Sequence, residues 1–162
     1  GRILCIAYRK AGSALKSLHL ASAEDAPKLL PLVAALHLDQ GFSTDAAHQE
    51  RAVMPLLQGS PHGAIWLIGP RRAPVGYIVV SFGWSVEYGG MDAIVDELYV
   101  RPAVRGRGMA GEAINALGQA LKQSTIKALH LEVDNSNEGA LRLYQRCGFK
   151  ARNGYMYMTR KL

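Results

Sequence analysis

The stretch from Asp96 to Gly111, Asp-Glu-Leu-Tyr-Val-Arg-Pro-Ala-Val-Arg-Gly-Arg-Gly-Met-Ala-Gly, constrains the fold more than any other part of the chain. It reads as a strand ending at Val100, a short basic loop, and a helix opening on Gly106, Gly108 and Gly111. Glycine lets backbone N–H groups approach a ligand closely. A helix start adds donors without intrahelical partners and the positive end of the dipole. Such a site suits a phosphate. Arg105 and Arg107 bring planar guanidinium groups that match phosphate oxygens. The stretch is read as an anion cradle, best suited to a diphosphate.

Gly106-x-Gly108-x-x-Gly111 also spells the dinucleotide fingerprint. That motif places its first glycine directly after the strand, in a tight turn inside a doubly wound sheet. Here Arg101 to Arg105 intervene, and too little chain follows for the rest of a large parallel sheet. No Gly-Lys-Ser/Thr follows, so a nucleotide-hydrolase P-loop is also excluded. A dinucleotide-binding oxidoreductase stays behind the reading that follows.

Val100-x-Pro102-x-x-Arg105-Gly106-x-Gly108-Met109-Ala110 resembles the acetyl-CoA motif of the GNAT acetyltransferase superfamily, whose core is Arg/Gln-x-x-Gly-x-Gly/Ala. A second family signature follows in order, Asn137-x-x-Ala140-x-x-Leu143-Tyr144-x-x-x-Gly148-Phe149. The resemblance covers about Pro74 to Leu162. It implies a single domain over 1–162 with a mixed α/β (α+β) sheet flanked by helices, and acetyl-CoA as co-substrate. It also implies direct acetyl transfer to a primary amine of a small molecule or a peptide N-terminus. Homodimers are common in the family. A GNAT domain that binds acyl-CoA as a sensor without turnover is the alternative.

The same resemblance distributes roles. Arg105, Gly106, Arg107, Gly108, Met109, Ala110 and Gly111 hold the pyrophosphate, and Leu98, Tyr99 and Val100 line the pantetheine arm and acetyl group. Leu98 and Val100 serve equally well as sheet core. Tyr144 matches the usual general acid, since a phenol with a pKa near ~10 keeps its proton at neutral pH. Asn137 contacts the pantetheine, caps a helix, or does both. Deprotonating an alkyl ammonium at pH 7 costs about 4–5 kcal/mol, and Glu97 and Glu132 are the carboxylates that neighbouring strands aim at the acceptor. Asp96, of opposite strand parity to Glu97, ranks third. The acceptor cleft is expected between the first two helices with the loop from His37 to Thr44, and the segment from Phe82 to Tyr88.

Composition limits the rivals. A hydrophobic share of 49% with 20% charged residues belongs to a soluble globular chain, and no apolar run approaches the ~20 residues of a membrane span. The net charge of +6 favours anionic ligands, but the basic residues are scattered without interleaved aromatics, so neither nucleic acid nor membrane is an expected partner. Cys5 and Cys147 give no disulfide framework, which makes a reducing cytoplasm the expected compartment. His19, His37, His48, His62 and His130 are dispersed without HExxH or Cys/His pairing, so no metal is expected and the histidines read as surface or core residues.

Periodicity supplies the remaining elements. Residues 1–12 form a short extra strand or a loose tail, and Ala14 to Leu20 a strand. Ser22 and Asp25 resemble a capping box before a helix from Ala23 to Asp39, with Leu29, Leu32, Val33 and Leu36 on its apolar face and Pro31 as a kink. Ser43 or Thr44 caps a second helix ending near Gln58. Strands follow at Gly63–Ile68, Val75–Trp84 and Met91–Val100, then a helix from Gly108 to Gln123 and a strand from Ile126 to Asp134. A helix capped by Asn137 runs to Cys147, and Tyr155–Thr159 closes the sheet.

Overall fold

The computed structural model describes residues 17–162. The expectations for residues 1–12, for Cys5 and for the start of the first strand lie outside the described residues. The chain forms two compact units, one ending at Glu132 and the other spanning Val133–Leu162.

The first unit holds a five-stranded sheet in sequence order: β1 (Leu18–Leu20), β2 (Gly63–Ile68), β3 (Gly76–Ser85), β4 (Gly90–Val100) and β5 (Ala128–Leu131). The pairs from β1 to β4 are antiparallel, and β5 runs parallel to β4. Strand alternation assigns side chains to the two faces. On one face Ile65, Leu67, Tyr77, Val79 and Tyr99 pack under α1 (Ala26–Asp39) and α2 (Ala46–Leu57). The predicted stripe of Leu29, Leu32, Val33 and Leu36 provides the α1 side of that core. On the other face Trp66, Ile68, Ile78 and Val80 are buried, and α3 (Met109–Gln123) contributes Ala113, Ile114, Leu117 and Leu121.

Pro31 and Pro55 lie inside α1 and α2 without ending either helix. The Ser22–Asp25 capping box forms as predicted, with the Ser22 N–H donating to Asp25 Oδ2 at 2.9 Å before a 3₁₀ turn at Ala23–Asp25. The cap of α2 is Asp45, whose Oδ1 accepts the His48 N–H at 2.8 Å. Thr44, predicted as a possible cap, is engaged elsewhere.

Gly76 shows how tightly β3 and β4 meet. A Cβ there would lie 2.1 Å from the carbonyl oxygen of Tyr99, so only glycine fits the position.

The second unit contains α4 (Glu138–Arg146), capped as predicted by Asn137, whose side-chain oxygen accepts the Ala140 N–H at 3.0 Å. Gly148, at φ +91°, ends the helix in the left-handed region. The predicted strand at Tyr155–Thr159 does not form among the described residues, where no ladder includes it. A run of Tyr-Met-Tyr-Met has the bulk for a pleated surface, but a strand exists only where a neighbour takes up its backbone groups.

Candidate functional site

The site is built around a defect in β4. Val79 pairs with Glu97 and Val80 with Val95, so Asp96 is an extra residue in a β-bulge. The parallel ladder to β5 ends at Val95 and Leu131, just before the bulge. From Glu97 to Val100, β4 has no strand on its β5 side among the described residues. The Arg101 N–H donates to the Val75 carbonyl on the β3 side. Alternation therefore turns the peptide groups of Leu98 and Val100 away from β3, toward the open edge. The Val100 carbonyl is taken there by Arg105 Nε at 2.7 Å. The Val100 N–H and both groups of Leu98 remain on that edge.

A 3₁₀ turn at Pro102–Val104 leads from β4 into the glycine loop. Gly106 and Gly108 both sit at φ +78°, where a side chain is strained, and a Cβ on either would meet nothing within 4 Å. Conformation, not crowding, demands glycine here, and the space above the loop is open. Gly108 is the N-cap of α3, and its carbonyl accepts the Glu112 N–H at 3.0 Å. The N–H groups of Met109 and Ala110 precede that first helical bond. Arg105, expected beside a phosphate, is used in part by the fold: it lies over the Tyr99 ring at 5.5 Å and 3.9 Å from Asp39. Arg107 makes no ion pair among the described residues and is exposed beside the loop.

The predicted carboxylates separate in character. Glu132 lies one residue beyond β5, exposed, and not within a strand as expected, because the ladder to β4 stops at Leu131. Glu97 is enclosed. Its Oε1 accepts the Tyr77 hydroxyl at 2.9 Å and its Oε2 lies 2.7 Å from His37 Nε2. The His37 Nδ1 lies 2.7 Å from Thr44 Oγ1, which in turn receives Gln49 Nε2 at 3.2 Å. Asp96 is not set apart by strand parity, because the bulge breaks the alternation. Loss of solvent and then the neighbouring Glu97 charge push its carboxyl above the usual range, against a smaller opposing pull from His37, although part of the residue reaches the surface. Burial, with the Glu97 charge beside it, pushes the Tyr77 phenol far up, so it stays a donor.

His37 is the residue that sequence reasoning missed. In the sequence it is one of five dispersed histidines, yet it continues the buried stripe of α1 one position after Leu36. A polar group on such a stripe needs a partner, and that was the available signal. Thr44 also lines an open pocket of about 450 Å³ with Phe42, Ser43, Asp45, His48 and Arg51. The expected acceptor loop therefore does border a depression.

In the second unit, Tyr144 stands on α4 with the Phe149 ring edge-on at 5.9 Å. Burial, and then Cys147, push its phenol up, so it holds its proton at neutral pH. No helix is long and apolar enough to cross a membrane, and no group of three or more acidic, His or Cys side chains suited to a metal ion occurs, both among the described residues.

The sequence matches the acetyltransferase (GNAT) family over residues 32–149. The chain belongs to that family. It is 28% identical over 93 residues to an uncharacterized N-acetyltransferase of Methanocaldococcus jannaschii, a match covering 55% of this chain and 41% of that protein. It is 41% identical over 61 residues to N-alpha-acetyltransferase MAK3 of Arabidopsis thaliana, covering 37% of this chain and 32% of that protein. The chain thus spans less than half the length of these curated relatives. Among solved structures it superimposes on an integron cassette protein from the mobile metagenome of Cole Harbour Salt Marsh, with a TM-score of 0.78 and 32% identity over 90% of each chain. The mixed sheet and the order of its elements are those of the GNAT fold.

Proposed function

We propose that this GNAT protein is an N-acetyltransferase that moves the acetyl group of acetyl-CoA directly to a primary amine of a small molecule or a peptide N-terminus. One observation carries the reading: the open edge at Leu98 and Val100 runs straight into a loop whose glycines leave their backbone exposed. An extended amide chain ending in a diphosphate fits those two features, the first by adding to a strand edge and the second by meeting N–H donors at a helix start. Leu98, Tyr99 and Val100 would hold the pantetheine arm, and the segment from Arg105 to Gly111, with the exposed Arg107 beside the loop, the pyrophosphate. Asn137 belongs to the cofactor side on the family pattern, in addition to its capping role.

Acetyl-CoA supplies an activated acetyl group as a thioester. The protein has to take a proton from the acceptor ammonium and return one to the leaving sulfur. Glu97 is the better candidate for the first task, because its place is fixed and its hydrogen-bond chain reaches Thr44 at the pocket; Glu132 is the second. Tyr144 keeps a phenolic proton at neutral pH, which is the form an acid needs. The identity of MAK3 over part of this chain favours including a peptide N-terminus among the acceptors tested.

The test measures acetyl-CoA binding and thiol release by wild type and Tyr144→Phe, with a free N-terminal peptide, a polyamine and an aminoglycoside as acceptors. Turnover that falls about 100-fold or more in Tyr144→Phe, with binding retained, is the expected outcome. Binding without turnover on any amine would favour the acyl-CoA sensor. Absence of binding would overturn the reading of the glycine loop.

A further inference from the structure

We infer that His37 is a positioning residue for the proton-accepting step, holding Glu97 through Nε2 while Thr44 at the pocket rim holds its Nδ1. The inference rests on the acetyl-transfer reading and adds to it a residue from α1 that neither sequence signature contains.

With His37 as a neutral imidazole, the hydrogen-bond chain runs in one direction. An ionised Glu97 only accepts, so the proton between Oε2 and His37 sits on Nε2. In the neutral imidazole Nδ1 then accepts, and the Thr44 hydroxyl is its donor. The Thr44 oxygen is in turn left free to accept from Gln49 Nε2, a group that only donates. Tyr77 donates to the remaining carboxylate oxygen. Every donor points toward Glu97, and each of its oxygens keeps a lone pair.

The location argues against a purely solvated pair. The His37 and Glu97 side chains are 11% and 17% exposed, so their contact is shielded from competing water. His37 is anchored on α1 and also by the Phe42 ring, 5.2 Å away and edge-on. Glu97 follows a bulge, a feature that re-aims a side chain, here onto α1. A carboxylate that must meet an acceptor proton gains from being held in one rotamer. In the reaction Glu97 takes the proton from the ammonium, the freed nitrogen bonds to the acetyl carbon, and the carbon–sulfur bond breaks. The departing sulfur takes the Tyr144 phenolic proton, and the second proton lost by the nitrogen as the amide forms restores that phenol. His37 changes charge in none of these events.

The experiment compares wild type with His37→Gln, His37→Asn, His37→Leu and Thr44→Val. It measures kcat and KM with acetyl-CoA and whichever of the three acceptors above wild type turns over fastest, on protein whose melting transition confirms folding. Glutamine places an amide near the lost Nε2 and asparagine near the lost Nδ1. His37→Gln should stay within about threefold of wild-type kcat, whereas His37→Asn and His37→Leu should lose about 30-fold or more, with KM for acetyl-CoA unchanged. Thr44→Val should fall by about three- to tenfold. Equal losses in His37→Gln and His37→Asn, or full activity in all four with lower melting temperatures, would overturn the inference and leave a scaffold role. If His37→Leu does not fold, the comparison of the two amides decides. Wild-type protein that turns over none of the three amines would overturn the acetyl-transfer reading itself, before any variant is compared, and this inference with it.

Discussion

From Gly90 to Val95, β4 runs against β3 on one side and, over Asp92–Val95, against β5 on the other. From Glu97 to Val100 it has β3 alone. In the first half the backbone is spent on ladders, and Asp92 Oδ2 meets His130 Nε2 at 3.2 Å across the parallel pair. In the second half the peptide groups of Leu98 and Val100 turn outward, and the acidic side chain reaches to a helix instead of a neighbouring strand. A single extra residue, Asp96, separates the two regimes. An unpaired edge is normally a liability, tolerated when it is short. Here it is four residues long and leads straight into the glycine loop. The contrast teaches that one strand can carry both the sheet and the site, provided a bulge ends the ladder between them.

The sharpest way to break this comparison is to remove one acid from each half. Glu97→Gln keeps an acceptor for His37 and a group for Tyr77, but it cannot take a proton. Its kcat should fall by about 10²–10⁴-fold, with melting temperature and acetyl-CoA affinity little changed. Asp92→Asn should do the reverse, lowering stability by about 1 kcal/mol or less and leaving kcat intact, since His130 is partly exposed and the pair is weak. Rates that fall equally in both variants would erase the distinction between the halves. Steady-state kinetics beside thermal melting decides it.

Next in size is the loop that the open half feeds. Gly108→Val places a β-branched residue at φ +78°, where L side chains are strained, at the head of α3. Acetyl-CoA affinity should weaken about 10- to 100-fold by calorimetry, with the added side chain standing where a ligand must approach the backbone. Undiminished affinity would separate the loop from the open edge and leave β4 as the whole of the cofactor reading.

The sequence foretold these parts unequally. The glycine loop, the α1 stripe, the Asn137 cap and the central strands were legible, because each rests on local periodicity or on a residue with one conformational use. The bulge was not: one extra residue shifts parity without leaving a compositional trace, so alternation alone does not place Asp96 relative to Glu97. The ending of β5 at Leu131 was hidden for the same reason, since only a partner's departure ends a ladder whose residues still alternate. The link from His37 to Glu97 joins positions 60 apart in sequence and is a product of tertiary packing. The run at Tyr155–Thr159 misleads in the opposite sense, having strand chemistry but no partner strand among the described residues.

The smallest effect concerns neither half of β4 and tests whether charge alone produces such contrasts. Asp25 is held at the start of α1 by the Ser22 N–H and by Arg71, at 2.9 Å each. Burial pushes its carboxyl up, but the Ser22 backbone bond and then Arg71 outweigh it, leaving it below the ordinary value of 3.8. A depressed folded pKa means that the stabilisation is present in full above the unfolded value and is lost as pH falls through the folded one. Arg71 is about half exposed, so solvent screens its share, and the contribution comes mainly from the capping bonds. Asp25→Asn should therefore cost about 1 kcal/mol at pH 7, and the difference from wild type should shrink toward zero by about pH 2. Urea unfolding at the two pH values measures it. A penalty of equal size at both would mean that the cap works through shape and neutral hydrogen bonds, with no contribution from ionisation.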